Sequence, residues 1–330
     1  MNLSKEIASM YDDAVRIRQD LHRIPEIGFQ LHDTQAYVLN ELRQCAPDRL
    51  ETPAVCGVKA VFFAKDAQKT IALRDMDGIH NDEANDVPYR SQRPGCMHGC
   101  GHDGHMTILL LLARWIAENR ARLHCNVVLL FQPGEEVCPG GASMVMAEDP
   151  FRDYRVVAFV GEHVAPEMAV GNLGFRSGKY MASSDELWIE VHGTGGHGAL
   201  PHTMTDPVVA AAALITSLQQ VVSRNNNATI PTVLSIGRVI ANGATNVIPP
   251  VVQVAGTLRT MDERWRAQAK RRIHEIAAGV AAAHCVTAEV KIPEGYPCVV
   301  NDPALTVRAR SIAAKLWGKE HVEELDLRMT

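Results

Sequence analysis

Aromatic residues and clustered positive charge are both scarce in this chain of 330 residues. Phe, Trp and Tyr make up 5% of the sequence, and no run of basic residues occurs. Lysine and arginine number 33 against 38 aspartates and glutamates, which gives a formal net charge of −5. Proteins that bind nucleic acids or acidic membrane surfaces usually carry a basic patch. The composition therefore predicts neither kind of partner.

Long apolar segments and paired cysteines are also missing. No apolar run approaches the roughly 20 residues that cross a bilayer, and residues 1–6 are too polar for a secretion signal. The eight cysteines are scattered without a Cys-x-x-Cys pair, so a closed structural zinc site is disfavoured. We expect these cysteines to be reduced and the protein to be cytoplasmic.

Apolar segments that run into polar clusters recur in the first half of the chain. They are 70–73, 126–131 and 156–160, and the polar residues that follow them are 74–77, 132–136 and 162–163. Helices are predicted between such segments and before them, over 4–23, 33–45 and 107–119. This alternation predicts an α/β fold with a mostly parallel sheet flanked by helices. Sites in such sheets form beyond the carboxyl ends of the strands, so the three polar clusters should meet in one cleft.

The pattern changes near residue 184. Residues 184–292 follow the order β-α-β-β-α-β, which is that of a ferredoxin-like sandwich. One of its helices is predicted to begin after Asp206, where Pro207 can occupy the first helical position. We therefore predict a catalytic domain in two parts, 1–183 and 293–330, interrupted by an inserted domain over 184–292.

Potential metal ligands are concentrated in two glycine-rich stretches. The run 97–105 reads MHGCGHDGH and contains Cys100 and His102, while Glu135 and Glu136 end the sequence FQPGEE and His163 follows a third strand. Thiolates, imidazoles and carboxylates suit zinc or another late divalent ion, and a second carboxylate can carry a proton. Taken singly, Cys100 could be a redox thiol, and the two glutamates could form a solvated acidic turn. Together these residues favour a metal-dependent hydrolase.

Other polar residues near these stretches leave more than one interpretation open. His98 and His105 are expected to hydrogen-bond near the ligands instead of binding metal. Asp103 could orient the metal ions or cap a helix that begins near residue 107. His197 stands between glycines, where a backbone can approach a ligand, although an incidental histidine in a hairpin fits equally well. Asn246 could bind substrate or stabilise a turn.

Several motifs in one order resemble the aminoacylase–carboxypeptidase family of two-metal peptidases. Within this family, the motifs resemble more specifically the amidohydrolase branch. That branch contains hippurate hydrolase, N-acyl-amino-acid deacylases and auxin-conjugate hydrolases. The motifs lie at 20–29, 74–77, 97–105, 131–136, 163–164, 195–202 and 246–249. The resemblance implies two divalent ions per subunit, which could be zinc, manganese, cobalt or nickel. It implies metal ligands at Cys100, His102, Glu136 and His163.

The resemblance also implies catalytic roles. Glu135 is expected to be the general base, and Asp75 to support a ligand imidazole or the bridging water. The inserted domain is expected to form a homodimer, in which His197 reaches the site of the partner subunit and stabilises the oxyanion. Asn246 is expected to hold the substrate. The implied reaction is hydrolysis of the amide bond of an N-acyl-amino acid by a metal-activated water.

The chain departs from the family pattern near its end. The family's last metal ligand is a histidine that follows a segment resembling 327–330, where this sequence stops. We therefore expect a truncated family member. An impaired protein that only binds metal or dimerises is the first alternative to the enzyme, and a peptidase acting on short peptides is the second.

Overall fold

The computed structural model describes residues 3–65, 67–74, 77–137 and 140–330. For residues 4, 73 and 74 it describes the backbone only. They form two compact units, Met1–Val170 and Gly171–Thr330. Among the described residues, no helix is both long enough and apolar enough to cross a membrane.

The first unit alternates helices with strands, as predicted. Its helices are α1 (Leu3–Ala8), α2 (Tyr11–Arg23), α3 (His32–Gln44), α4 (His102–Glu118) and α5 (Gly141–Ala147). Its strands are β1 (Arg49–Glu51), β2 (Val58–Phe62), β3 (Lys69–Arg74), β4 (Ile79–His80), β5 (Cys96–Met97), β6 (Asn126–Phe131) and β7 (Arg155–Val160).

Five of these strands form one sheet in the order β1-β2-β6-β3-β7. Strand β3 pairs in parallel with β6 and β7, whereas β2 pairs antiparallel with both β1 and β6. Every residue of β6 is buried, which explains its continuous apolar sequence. Apolar side chains of α2, α3 and α4 pack with β2 and β6 in one core. The predicted α/β fold is therefore confirmed, with a sheet that is parallel from β6 through β3 to β7 and antiparallel from β1 through β2 to β6.

The prediction of one continuous helix over 4–23 is wrong, because the structure has two helices there, α1 and α2. The break lies at Ser9, whose hydroxyl donates a 2.7 Å hydrogen bond to the carbonyl oxygen of Glu6. Serine side chains often compete with the helical backbone in this way. Apolar periodicity continues across the break, so the sequence pattern alone suggests one helix.

The second unit contains the remaining elements. Its helices are α6 (Pro207–Leu218), α7 (Glu263–Ala283) and α8 (Pro303–Trp317). Its strands are β8 (Leu173–Phe175), β9 (Gly178–Lys179), β10 (Ser183–His192), β11 (Gly196–His197), β12 (Thr232–Ile240), β13 (Val247–Ile248), β14 (Val251–Thr260), β15 (Thr287–Lys291), β16 (Val300–Asn301) and β17 (Val322–Glu324).

An antiparallel sheet with the order β12-β14-β10-β15 is the centre of this unit. Helices α6 and α7 contribute apolar side chains to the same core as its strands. The carboxylate of Asp206 caps α6 by accepting hydrogen bonds from the backbone N–H groups of Val208 and Val209, at 2.8 and 3.1 Å. The chain order β10-α6-β12-β14-α7-β15 is the predicted ferredoxin-like arrangement.

Short strand pairs join the chain before this sandwich to the chain after it. Strand β8 pairs in parallel with β17, and β9 pairs antiparallel with β16. Residues 293–330 therefore return to the segment that precedes β10. The boundaries 1–183, 184–292 and 293–330 stay a prediction, as does dimerisation through the middle segment.

A buried ionic cluster fixes α7 to β10. Asp185 has no exposed surface, and its two carboxylate oxygens accept hydrogen bonds from Nε and Nη2 of Arg266 at 2.6 and 2.7 Å. The ammonium group of Lys270 lies 2.8 Å from the same carboxylate. Burial raises the pKa of Asp185, but the hydrogen bonds from these two cations outweigh it and hold the pKa below its usual range.

We expect Asp185→Asn to lower the free energy of unfolding by about 3 kcal/mol at pH 7, because it leaves two cations without their buried anion. A carboxyl with a depressed pKa stabilises the fold above its unfolded pKa of about 3.9 and loses this effect as the pH falls through its folded pKa. The difference from wild type should therefore shrink below about pH 4. Urea unfolding at pH 7 and pH 3 measures this difference in unfolding free energy. The control is Asp326→Asn, at an exposed position. Equal unfolding free energies for both variants at pH 7 would contradict the prediction.

Candidate metal centre

The sharp turn at Gly101 places Cys100 and His102 on the same side of the chain. Gly101 has φ +85°, and His102 is the first residue of α4, five residues before the predicted start of that helix. A Cβ atom at Gly101 would lie 2.5 Å from Cγ2 of Val164. Glycine is therefore required here both by the backbone conformation and by the close approach.

Cys100, His102 and His163 form a cluster that could hold a cation. One donor atom of each lies within 4.8 Å of the others, and Sγ of Cys100 is 3.2 Å from Nε2 of His163. Nδ1 of His163 donates to the carbonyl oxygen of Val164, and Nδ1 of His102 donates to that of Asp77, both at 2.7 Å. In a neutral imidazole this leaves the lone pair on Nε2, which is the atom that faces the cluster.

The two imidazoles favour the thiolate form of Cys100. Hydrogen bonds from His102 and His163 lower the pKa of the Cys100 thiol. In return, the hydrogen bond with Cys100 raises the pKa of His163 to about 9. The thiolate is the form of cysteine that binds metal ions. The predicted ligands Cys100, His102 and His163 are thus brought together, and a bound cation would replace the proton shared by Cys100 and His163.

Both glutamates of the acidic pair face the same imidazole. Oε2 of Glu135 and Oε1 of Glu136 lie 4.0 and 3.9 Å from Nε2 of His102. The two residues lie in a turn after β6, where adjacent side chains need not point in opposite directions as they do on a strand. Since the two distances are nearly equal, the division into general base and ligand stays a prediction from the resemblance.

Asp77 lies at the candidate metal centre, although no role there was predicted for it from the sequence alone. Its buried carboxylate accepts hydrogen bonds from the backbone N–H groups of Glu135 at 3.1 Å and Glu136 at 3.3 Å. Its carbonyl oxygen orients His102, as described above. The signal was its place in the polar cluster after β3, but the resemblance directed attention to Asp75. Asp75 lies outside the described residues, so its proposed supporting role stays a prediction.

We expect Asp77→Asn to weaken zinc binding roughly 10–100-fold, the usual cost of losing an outer partner of a metal ligand. The asparagine amide can accept from only one of the two backbone N–H groups, so the turn that carries the glutamates loses a restraint. Competition with a chromogenic chelator measures the zinc affinity. Asp86→Asn, at an exposed position, is the matched control and should bind zinc like wild type. Wild-type affinity in Asp77→Asn would disprove this role.

The histidines and the aspartate that flank the ligands differ in their contacts. His105 is hydrogen-bonded, as predicted: its Nε2 accepts from the backbone N–H of Val164 at 3.0 Å. His98 is buried, and this burial lowers its pKa to about 4. Of the two alternatives for Asp103, the capping of a helix that begins near residue 107 is wrong, because α4 already begins at residue 102. The Asp103 side chain instead accepts from His22 and Arg18.

In the second unit, the structure brings His197 and Asn246 together. Strand β11 pairs with β13, and the N–H of Gly198 donates to the carbonyl oxygen of Asn246 at 2.8 Å. Gly195 is in close backbone contact with this pair, since a Cβ there would lie 2.5 Å from the carbonyl oxygen of Ile248. His197 and Asn246 are both exposed. Their roles in oxyanion and substrate binding stay predictions.

The donor set of the first unit fits a divalent cation. His102 belongs to two groups whose donor atoms lie within 4.8 Å of one another, one with Cys100 and His163 and one with Asp77 and Glu135. A thiolate with imidazoles suits zinc, and carboxylates extend the choice to harder ions such as manganese. The implied cofactor is therefore compatible with the residues present.

Comparisons with known proteins agree with this chemistry. Residues 73–329 match the model of Peptidase family M20/M25/M40. The chain is 39% identical over 294 residues to N-acetyldiaminopimelate deacetylase from Geobacillus thermodenitrificans, with 88% of this chain and 77% of that protein covered. It is 36% identical over 310 residues to N-acetyl-L-cysteine deacetylase from Bacillus subtilis, with coverage of 94% and 74%.

A solved structure is similar along nearly the whole chain. It is that of the Bacillus subtilis YXEP protein, a dinuclear metal-binding peptidase from the M20 family. The TM-score is 0.79 at 30% sequence identity, and the match covers 98% of this chain and 83% of that protein. The chain therefore has a fold similar to that of a dinuclear metal-binding peptidase.

Proposed function

Because the chain belongs to peptidase family M20/M25/M40, we propose that it removes the acyl group, and an acetyl group in particular, from N-acyl-amino acids. The family predicted from the motifs is confirmed, and so is the class of metal-dependent amidohydrolase. The relatives that share 36–39% of their aligned residues with this chain are deacetylases of N-acetyldiaminopimelate and N-acetyl-L-cysteine. Their common feature is a small acyl group on an amino-acid nitrogen.

The observation that carries the proposal is the position of His102. Its Nε2 lies about 4 Å from both glutamate carboxylates, and the same residue belongs to the thiol–imidazole cluster with Cys100 and His163. A centre for two divalent ions needs neighbouring donor groups of this kind. The similarity to a dinuclear metal-binding peptidase supports two ions, and the identity of the metal stays a prediction.

When bound, divalent ions polarise the amide carbonyl and lower the pKa of the attacking water. In the proposed reaction Glu135 accepts a proton from this water as its oxygen attacks the carbonyl carbon. The C–N bond then breaks, and Glu135 delivers the proton to the leaving amine. The products are a carboxylate, which is acetate for an acetyl substrate, and a free amino acid.

The remaining residues are assigned to binding and charge stabilisation. Cys100, His102, Glu136 and His163 are the proposed ligands. We propose that His197, contributed by a partner subunit, donates to the tetrahedral oxyanion, and that Asn246 orients the substrate. The exposure of His197 on a short strand pair makes it available for such a contact. Sedimentation analysis tests the dimer that this assignment requires, and a monomer with full activity would refute it.

A substrate panel tests the proposed function. The purified chain is supplied with zinc or manganese and assayed for amine release from N-acetyldiaminopimelate, N-acetylcysteine, hippurate and a dipeptide. We expect the acetylated amino acids to be cleaved fastest, and a chelator to abolish the activity. Preference for the dipeptide would instead establish the short-peptide peptidase. Less than one bound ion per chain with no turnover would establish the protein that only binds metal or dimerises.

A further inference from the structure

A buried histidine outside the donor set is held between two carboxylates. His22 lies on α2, where its Nδ1 is 2.8 Å from Oδ2 of Asp103 and its Nε2 is 3.2 Å from Oε1 of Glu83. None of the three residues is more than 5% exposed. The two partners lie 61 and 81 residues further along the chain, so α2 joins distant segments of the first unit.

The geometry requires His22 to be charged. A neutral imidazole has one N–H and can donate to only one carboxylate, whereas an imidazolium can donate to both. Arg18 also donates to Oδ2 of Asp103, at 3.1 Å, so two cations face two buried anions. In agreement with this, the hydrogen bond to Asp103 raises the pKa of His22. The cluster is therefore electrically balanced.

The two carboxylates are connected to opposite ends of the run that carries Cys100 and His102, one through the chain itself and one through hydrogen bonds. At one end, Asp103 directly follows His102 in the first turn of α4. At the other end, Oε2 of Glu83 accepts from the backbone N–H of Ser91 at 2.7 Å, and the Ser91 hydroxyl donates to the carbonyl oxygen of Cys96 at 2.7 Å. Cys96 begins β5, four residues before Cys100.

We propose that His22 is a positioning residue for the metal centre, because it fixes both ends of the ligand-bearing run 96–103 through Asp103 and Glu83. This inference rests on the metal centre of the proposed function. Without the imidazolium, the two anions would lose their shared partner and the run would sample other conformations. Metal binding would then have to order the ligands, at a cost in affinity. The competing interpretation is a buried ion cluster that only stabilises the fold.

The test is His22→Gln in the full chain. Glutamine donates only through its amide nitrogen, so it cannot donate to both carboxylates in the way the imidazolium does. We expect about tenfold weaker zinc binding, at the lower end of the effect known for outer partners of metal ligands. The absorption of a Co²⁺-loaded sample should also change, because Cys100 shifts relative to the ion. His124→Gln, at an exposed position, should leave both measurements unchanged.

A role in stability alone predicts a different result. His22→Gln would then lower the melting temperature of the metal-free protein but keep the wild-type zinc affinity and Co²⁺ spectrum, and the proposal would be overturned. If His22→Gln does not fold, Ser91→Ala is the second test. It keeps the backbone contact to Glu83 and removes the hydroxyl contacts to Cys96 and to the backbone of Arg93. Unchanged zinc affinity in a folded Ser91→Ala would overturn the proposal as well. A wild-type chain that binds no zinc would overturn the proposed function together with this inference.

Discussion

Glu135→Gln is expected to lower kcat for an N-acetyl-amino acid about 10²–10⁴-fold, the usual contribution of a positioned general base. The amide has nearly the size of the carboxylate but cannot accept the proton of the attacking water. The backbone N–H of residue 135 still donates to Asp77, so the turn should keep its shape. The metal content should therefore stay at the wild-type value. Steady-state kinetics and elemental analysis of the same sample measure both quantities.

Glu136→Gln is the matched comparison, because Glu135 and Glu136 lie equally far from His102. A ligand should behave differently from a base, so this variant is expected to lose metal together with activity. If Glu135→Gln loses metal and Glu136→Gln loses only kcat, the two roles are exchanged. Wild-type kcat in both variants would refute the mechanism.

Cys100→Ala is expected to have the largest effect on metal binding. It removes the thiolate that hydrogen bonds from His102 and His163 favour, and no other atom of the side chain can replace it. The loss of zinc affinity should exceed the roughly 10–100-fold caused by losing an outer partner. Turnover should fall with the metal content, and added zinc should restore a chelator-treated wild type but not the variant. Chelator competition measures the affinity, and activity is followed in parallel.

The control for this variant is Cys125→Ala, which removes a partly buried thiol just before β6. This change should leave both zinc affinity and turnover at wild-type values. Full metal content in Cys100→Ala would exclude Cys100 as a ligand. Equal losses in both variants would indicate a general effect on the fold.

The sheet could be predicted because its buried strands are visible in the sequence as short apolar runs. The run 126–131 is apolar at nearly every position, and in the structure every residue of β6 is buried. The rule that sites form at the ends of parallel strands then identified the regions after β3, β6 and β7. That rule placed His163 near the two glutamates, whereas Cys100 and His102 were identified from the ligand-rich run 97–105 that precedes α4. The antiparallel strands β1 and β2 have no comparable signal for their direction.

The parts that escaped prediction depend on contacts between distant segments. The early start of α4 follows the left-handed conformation of Gly101, where the neighbouring Val164 leaves no room for a side chain. Asp77 became recognisable only when its carboxylate was seen to accept from backbone groups about 60 residues away. His22 lies in the motif at 20–29, but nothing in that segment shows that Asp103 and Glu83 are its partners.

The donor groups come from three places in the first unit, and Cys100 and His163 alone are 63 residues apart. An ion held by these groups is therefore a reversible cross-link between segments that lie far apart along the chain. Since an unfolded chain cannot keep such donors together, the ion binds the native state selectively. Free metal at 100 times its dissociation constant adds about 2.7 kcal/mol to the stability of the unit. The stability of the unit should therefore depend on the concentration of free ion, as the activity does.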